Sequence, residues 1–71
     1  MINIFINDEI EQVEFETCLY NVLEAYGSEK GITLATIAVA VNGSVVPRAT
    51  WQQTQCQAND KLELFSVVAG G

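Results

Sequence analysis

The feature that most constrains this chain is a change of period. Leu19, Val22, Leu23 and Tyr26 recur at i, i+3, i+4 and i+7, the spacing that places apolar side chains on one face of a helix. The stretches on either side repeat every second residue instead. "INIFIN" sets Ile2, Ile4 and Ile6 against Asn3, Phe5 and Asn7, and "TIAVAV" sets Ile37, Val39 and Val41 against Ala38 and Ala40. Period two is the pattern of a strand with one face in a core. A helix with one apolar stripe and strands with one apolar face satisfy each other by stacking, so a helix on one side of a small sheet is expected.

Local signals set the boundaries. Thr17 offers a side-chain oxygen to the unpaired amides of the first helical turn, and Gly27 marks the expected end of the helix. Asn7-Asp8-Glu9 turns the first strand into a second one carrying Ile10, Val13 and Phe15. Val13 and Phe15 are out of phase with Ile10, a change that a bulge would absorb. The small residues Ala38 and Ala40 suit a strand over which a helix lies closely, although low bulk fits elsewhere too. Asn42-Gly43 is a tight hairpin turn, and Ser44-Val45-Val46 is a brief strand that Pro47 ends. "RATWQQTQCQAND" reads as turn or short helix with Trp51 packed in the core, and Lys61 to Val67 form the last strand. The expected fold is α+β, a β-grasp (ubiquitin-like) mixed sheet of about five strands with one main helix packed on one face.

A chain of 71 residues hides only about 60% of its unfolded surface and supports one core, so residues 1–71 are expected to be one domain, with a flexible tail at 68–71. Hydrophobic residues make up 49% and charged residues 17% of the chain, too apolar for disorder and without an uncharged run of membrane-spanning length. The opening "MINIFINDEI" has no basic residue and no small-residue cleavage site. Neither a signal peptide nor a membrane association is expected, and the expected location is cytoplasmic.

Charge narrows the partners. Lys30, Arg48 and Lys61 face nine acidic residues, for a net charge of −6. Nucleic acid requires the opposite sign; basic protein surfaces are the natural complement. Asp8, Glu9, Glu11, Glu14 and Glu16 crowd the first third, where charge also keeps a hairpin edge from pairing with other chains. Cys18 and Cys56 form no close-spaced metal or redox motif, and there is no histidine. The usual metal ligands and catalytic bases are therefore missing, and the cysteines are expected to be reduced, structural thiols.

The chain resembles a known family over its whole length, and the second half carries most of the specificity. "VNGSVVPRATW" and "NDKLELFSVVAGG" are similar to the sulfur-carrier proteins of thiamine biosynthesis: Val-Pro-Arg, a Trp shortly after, an Asp before the final strand and a closing Gly-Gly. The family usually has an apolar residue and a Gly before that Asp, where this chain has "CQAND"; Asn59 can adopt the left-handed turn that Gly would. The resemblance implies a carrier with no catalytic residues of its own. A ubiquitin-activating-type adenylyltransferase would use ATP to adenylate the carboxylate of Gly71. A sulfur-donating protein would supply the sulfur that replaces AMP, and thiazole synthase would consume the resulting thiocarboxylate. No cofactor would be bound permanently, ATP being used by the activating partner. The alternatives on the same fold are the small subunit of molybdopterin synthase, which tends to be longer and to lack the Val-Pro-Arg and Trp combination, and a ubiquitin-like protein modifier.

Simple geometry suits the "VVAGG" ending to this chemistry. The four residues Val68, Ala69, Gly70 and Gly71 reach about 13 Å when extended at ~3.3 Å each, and two glycines present no side chain to a narrow cleft. Strand parity in "KLELFSVV" puts Lys61, Glu63, Phe65 and Val67 on one face and Leu62 and Leu64 on the other. A charged pair belongs in water, so Phe65 and Val67 are expected on the open side of the sheet as partner contacts. Arg48 is either a surface cation paired with a nearby acid or a third partner contact.

Overall fold

Asn7 and Asp8 both adopt positive φ (49° and 70°), the left-handed geometry of a tight hairpin turn, and reverse β1 (Ile2–Ile6) onto β2 (Glu9–Val13). The computed structural model describes residues 1–66. Val67, the expected end of the last strand, and the expected tail at 68–71 lie outside the described residues.

The β1–β2 ladder runs without insertion from Ile2 opposite Val13 to Ile6 opposite Glu9, so the expected bulge is not formed. The change of phase needs no inserted residue, because Ile10 and Val13 lie on opposite faces of the regular ladder. Ile10 lies across from Phe5 and is exposed, Val13 faces inward beside Ile2, and Phe15 falls beyond the strand, also exposed.

The helix α1 (Leu19–Lys30) starts and ends differently from its sequence signals. Cys18 is the capping residue and makes no side-chain cap bond; the Thr17 hydroxyl donates to the Glu14 carbonyl at 2.7 Å instead. The first helical amide, that of Leu19, donates to the Thr54 carbonyl at 2.6 Å, so the packed chain supplies an acceptor that a cap would otherwise provide. At the other end Gly27 does not stop the helix. A Cβ on Gly27 would come within 2.8 Å of the Ile32 carbonyl oxygen, so glycine is required there by close packing. The stop is Gly31, at φ 73°, and the amides of Gly31 and Ile32 both donate to the Gly27 carbonyl.

After a 3₁₀ turn at Leu34–Thr36, β3 (Ile37–Val41) and β4 (Ser44–Val46) form the second hairpin. Its turn residues Asn42 and Gly43 are left-handed, as Asn-Gly predicts. A second 3₁₀ segment, Arg48–Gln53, carries the buried Trp51 beneath α1, and β5 (Lys61–Ser66) then enters the sheet between β1 and β3. The strand order is β2-β1-β5-β3-β4, with β1 and β5 parallel and the other neighbours antiparallel. This is the expected five-stranded mixed sheet with one main helix, a β-grasp fold.

Ile4, Ile6, Leu19, Leu23, Val39, Trp51 and Leu62 are almost inaccessible to solvent and define the core between sheet and helix. The alanines of β3 are on the other side. Ala38 pairs with Phe65 and Ala40 with Glu63 and Val45, while Ile37 and Val39 face inward. The helix thus packs on the large residues of β3, which fill the interlayer space better than alanine would.

Polar side chains lock the entry to β5. Asn42 donates its side-chain amide to Asp60 at 2.9 Å and accepts the Lys61 amide at 3.0 Å, and the other Asp60 oxygen accepts the Gln57 amide at 2.8 Å. Asn59 takes the left-handed conformation, φ 69°, that the sequence reading assigns to it.

Candidate functional site at the open end of the central strand

β5 alternates as its sequence implies. Leu62 is buried and Leu64 half-buried on the helix side, while Lys61, Glu63 and Phe65 point away from it. Phe65 is 46% exposed and sits opposite Ala38, whose small side chain leaves the ring uncovered. Val45 and Ile10, on the two edge strands β4 and β2, are also exposed, so the helix-free face has an apolar component. Val67, the other residue expected there, lies outside the described residues.

Two features steady the strand where it leaves the sheet. Asn7 donates its backbone amide to the Leu62 carbonyl at 2.9 Å, and its side-chain oxygen accepts the Leu64 amide at 2.9 Å. The asparagine side chain therefore extends the parallel β1–β5 pairing past the end of β1. Sequence reasoning treats Asn7 as a turn residue only; its second role depends on β5 arriving beside it, a contact 57 residues away. An open groove of about 430 Å³ borders the same end, lined by Gly31, Ile32, Thr36, Leu64, Phe65 and Ser66 among others.

Arg48 approaches this end from the opposite edge. Its guanidinium donates to the carbonyls of Ala35 at 2.9 Å and Leu34 at 3.2 Å, reaches that of Ile37 at 3.5 Å, and lies 5.6 Å from the Trp51 ring. Ile37 pairs with Ser66, so Arg48 and the end of β5 are tied through one short segment. The expected ordinary role, pairing with an acid, is not what it does: among the described residues its partners are carbonyls and an aromatic face. Those carbonyls belong to the 3₁₀ turn and the start of β3, where no helical ladder accepts their full hydrogen-bonding capacity.

The two cysteines are unpaired thiols. Burial, assisted by the negative charge of Asp60, pushes the Cys56 thiol up to about 11, which keeps it protonated and inert at neutral pH.

A family model described as the ThiS family matches residues 4–71. The chain belongs to this family. A curated relative, the sulfur carrier protein ThiS of Escherichia coli (strain K12), is 34% identical over 68 residues, covering 96% of this chain and 97% of the relative. Among solved structures, the crystal structure of the thiamine biosynthesis protein ThiS from Geobacter metallireducens superposes with a TM-score of 0.82 at 22% identity, covering 99% of this chain and all of the other. The solution structure of a thiamine biosynthesis protein from the same organism gives 0.68 at 22% identity, covering 99% of this chain and 88% of the other. These structural likenesses establish the fold, and the family match establishes the lineage. The matched segment includes Val67, Val68, Ala69, Gly70 and Gly71, all outside the described residues.

Proposed function

We propose that the chain is a sulfur carrier for the thiazole branch of thiamine biosynthesis and is itself a substrate, not an enzyme. The observation that carries this reading is the family match running through Gly71, joined to 34% identity with a curated sulfur carrier over nearly the whole of both chains. In this scheme the Gly71 carboxylate attacks the α-phosphate of ATP in the site of a ubiquitin-activating-type adenylyltransferase, and pyrophosphate leaves. The acyl adenylate carries AMP as its leaving group. Sulfide-level sulfur from a sulfur-donating protein displaces the AMP, the C–S bond forming as the C–O bond to AMP breaks, and the resulting thiocarboxylate passes its sulfur to thiazole synthase. ATP belongs to the activating partner, and the carrier holds no permanent cofactor.

Phe65 is the proposed anchor for these enzymes. An aromatic ring 46% exposed on the helix-free face, two residues before Val67, gives a monomer little and gives a partner a surface to bury. Val67 is proposed to share that role. Arg48 is proposed to contribute at the same end of the sheet, with its stacking on Trp51 fixing the guanidinium in place.

The test is the intact mass after incubation with ATP, a sulfur source and the matching adenylyltransferase. One oxygen exchanged for sulfur, confined to the C-terminal peptide, is the expected result. Sulfur on Cys18 or Cys56 would overturn the thiocarboxylate reading. Deleting Gly71 is expected to abolish transfer while leaving thermal unfolding nearly unchanged.

A further inference from the structure

On the side of the molecule away from Phe65, the edge strand β2 and the helix α1 leave a cavity of about 110 Å³ open to solvent. Val13, Val22, Ala25 and Tyr26 contribute its apolar part, and Glu11 and Glu29 add carboxylates. An enclosed cavity of about 150 Å³ holds one benzene-sized group, so this smaller, open space admits at most one side chain, part of it remaining in solvent, and no folded segment.

Glu11 repeats the placement of Glu9, which pairs with the core residue Ile6. Glu11 itself pairs with Ile4 across the β1–β2 ladder and therefore shares the helix-facing side of the sheet with a core residue. It is half-buried there. A carboxylate turned toward the helix layer gains nothing from apolar packing; on an edge strand it discourages pairing with other chains, and it also leaves a negative charge beside the groove.

The same wall shows what chemistry the groove accepts. Next to it, Lys30 places its ammonium 3.8 Å from Glu9 and 5.7 Å from the centre of the Tyr26 ring, and the Tyr26 hydroxyl donates to Glu9 at 3.2 Å. A cation thus already sits between a β2 carboxylate and a helix aromatic. One register further along β2, Glu11 has no cation: among the described residues Lys30 is held by Glu9, Arg48 by carbonyls, and Lys61 faces the opposite side of the sheet.

We propose that this groove is a socket for a single arginine side chain of a protein partner, its stem on Val13, Val22 and Ala25 and its guanidinium between Glu11 and Glu29. Arginine suits the site better than lysine. Its planar fork can donate to two carboxylates at once and lie against the tyrosine face, and its weaker hydration lowers the cost of partial burial. Because the socket opens on the helix layer, a protein seated there leaves the Phe65 face free for another.

The probe is N-acetyl-arginine amide, titrated into the ¹⁵N-labelled full chain and followed by NMR, with the neutral isostere N-acetyl-citrulline amide as control. The expected result is a saturable shift confined to amides around Glu11, Val13, Ala25, Tyr26 and Glu29. It should be at least tenfold weaker with citrulline and at least fivefold weaker in the Glu11→Gln/Glu29→Gln double variant. Equal shifts at Asp8, Glu14, Glu16 and Glu24 would show a diffuse charge effect and overturn the proposal. So would equal binding of citrulline, or titrations unchanged in the double variant. A Val13→Asn variant, on an edge strand and only half-buried, separates the stem contact: loss of saturation with both carboxylates intact supports a socket, and unchanged binding refutes it. None of these outcomes depends on the sulfur-carrier reading, which the mass measurement tests alone.

Discussion

The two faces of the sheet use the same strands for opposite purposes. On the helix side Ile4 and Val39 are fully buried and Leu62 is 1% exposed; on the other side Ile10 is 63%, Val45 64% and Phe65 46% exposed. Both faces carry large apolar residues. Folding accounts for the first set, since each buried side chain contributes about 1.5–3 kcal/mol by leaving water. It does not account for the second, whose members are spread over β2, β4 and β5 and remain wet. Apolar residues that the fold leaves uncovered are what a docking face requires. β5 makes the contrast most sharply, because Leu62 and Phe65 lie within one strand of six residues.

The largest test of this contrast is Leu62→Ala. Truncating a side chain at the centre of the core is expected to cost about 2–5 kcal/mol, read as a lowered midpoint in chemical denaturation. Gly27→Ala comes next. It should gain up to about 1 kcal/mol in helix propensity yet lose more by driving a Cβ onto the Ile32 carbonyl, for a net loss of about 1–3 kcal/mol. A neutral or stabilising result would show that the covered face has slack that the geometry denies. Arg48→Ala is expected to cost about 1 kcal/mol, since it removes charge-assisted bonds to carbonyls and the stacking on Trp51 at an exposed position. If the variant also slows sulfur delivery beyond what its lowered folded fraction explains, Arg48 acts in docking as well as in tying the 3₁₀ turn. Phe65→Ser should change stability least, by under about 1 kcal/mol, while weakening binding to the adenylyltransferase or thiazole synthase. A drop of about 3 kcal/mol with unchanged binding by the folded fraction would erase the distinction between the faces.

What the sequence disclosed and what it withheld divide along the range of the interactions. Parity in β5, the Asn42-Gly43 turn, the stripe on α1 and the left-handed Asn59 are local properties of the chain, and all were legible. The errors arose where a distant partner decides the outcome. Gly27 resembles a helix stop, but its reason is the returning chain at Ile32. Thr17 resembles a cap, but the Thr54 carbonyl already takes the Leu19 amide. Ile10 and Val13 are out of phase, which suggests a bulge, but a regular ladder accommodates both once Ile10 lies on the open face. Abundant acids make an ion pair the natural expectation for Arg48, whereas the carbonyls of the 3₁₀ turn are its partners among the described residues. For the site, Phe65 could be placed from alternation alone, but the supporting bond from Asn7 to Leu64 could not, since nothing in either segment signals the other.

The place of β5 between β1 and β3 has a consequence for how the molecule is made. β5 is the last of the described strands along the chain and the one that joins the two hairpins; the register Phe5 opposite Lys61 spans 61 − 5 = 56 residues. Until Lys61–Ser66 joins the sheet, β1 and β3 have no shared neighbour, and the Leu62 position in the core is empty. Pairings this distant close late and slowly. Without β5 the two hairpins are unjoined and their apolar faces uncovered, the condition that favours aggregation. Completion of the core and presentation of the exposed ring are coupled by this arrangement, because one strand of six residues carries both Leu62 and Phe65.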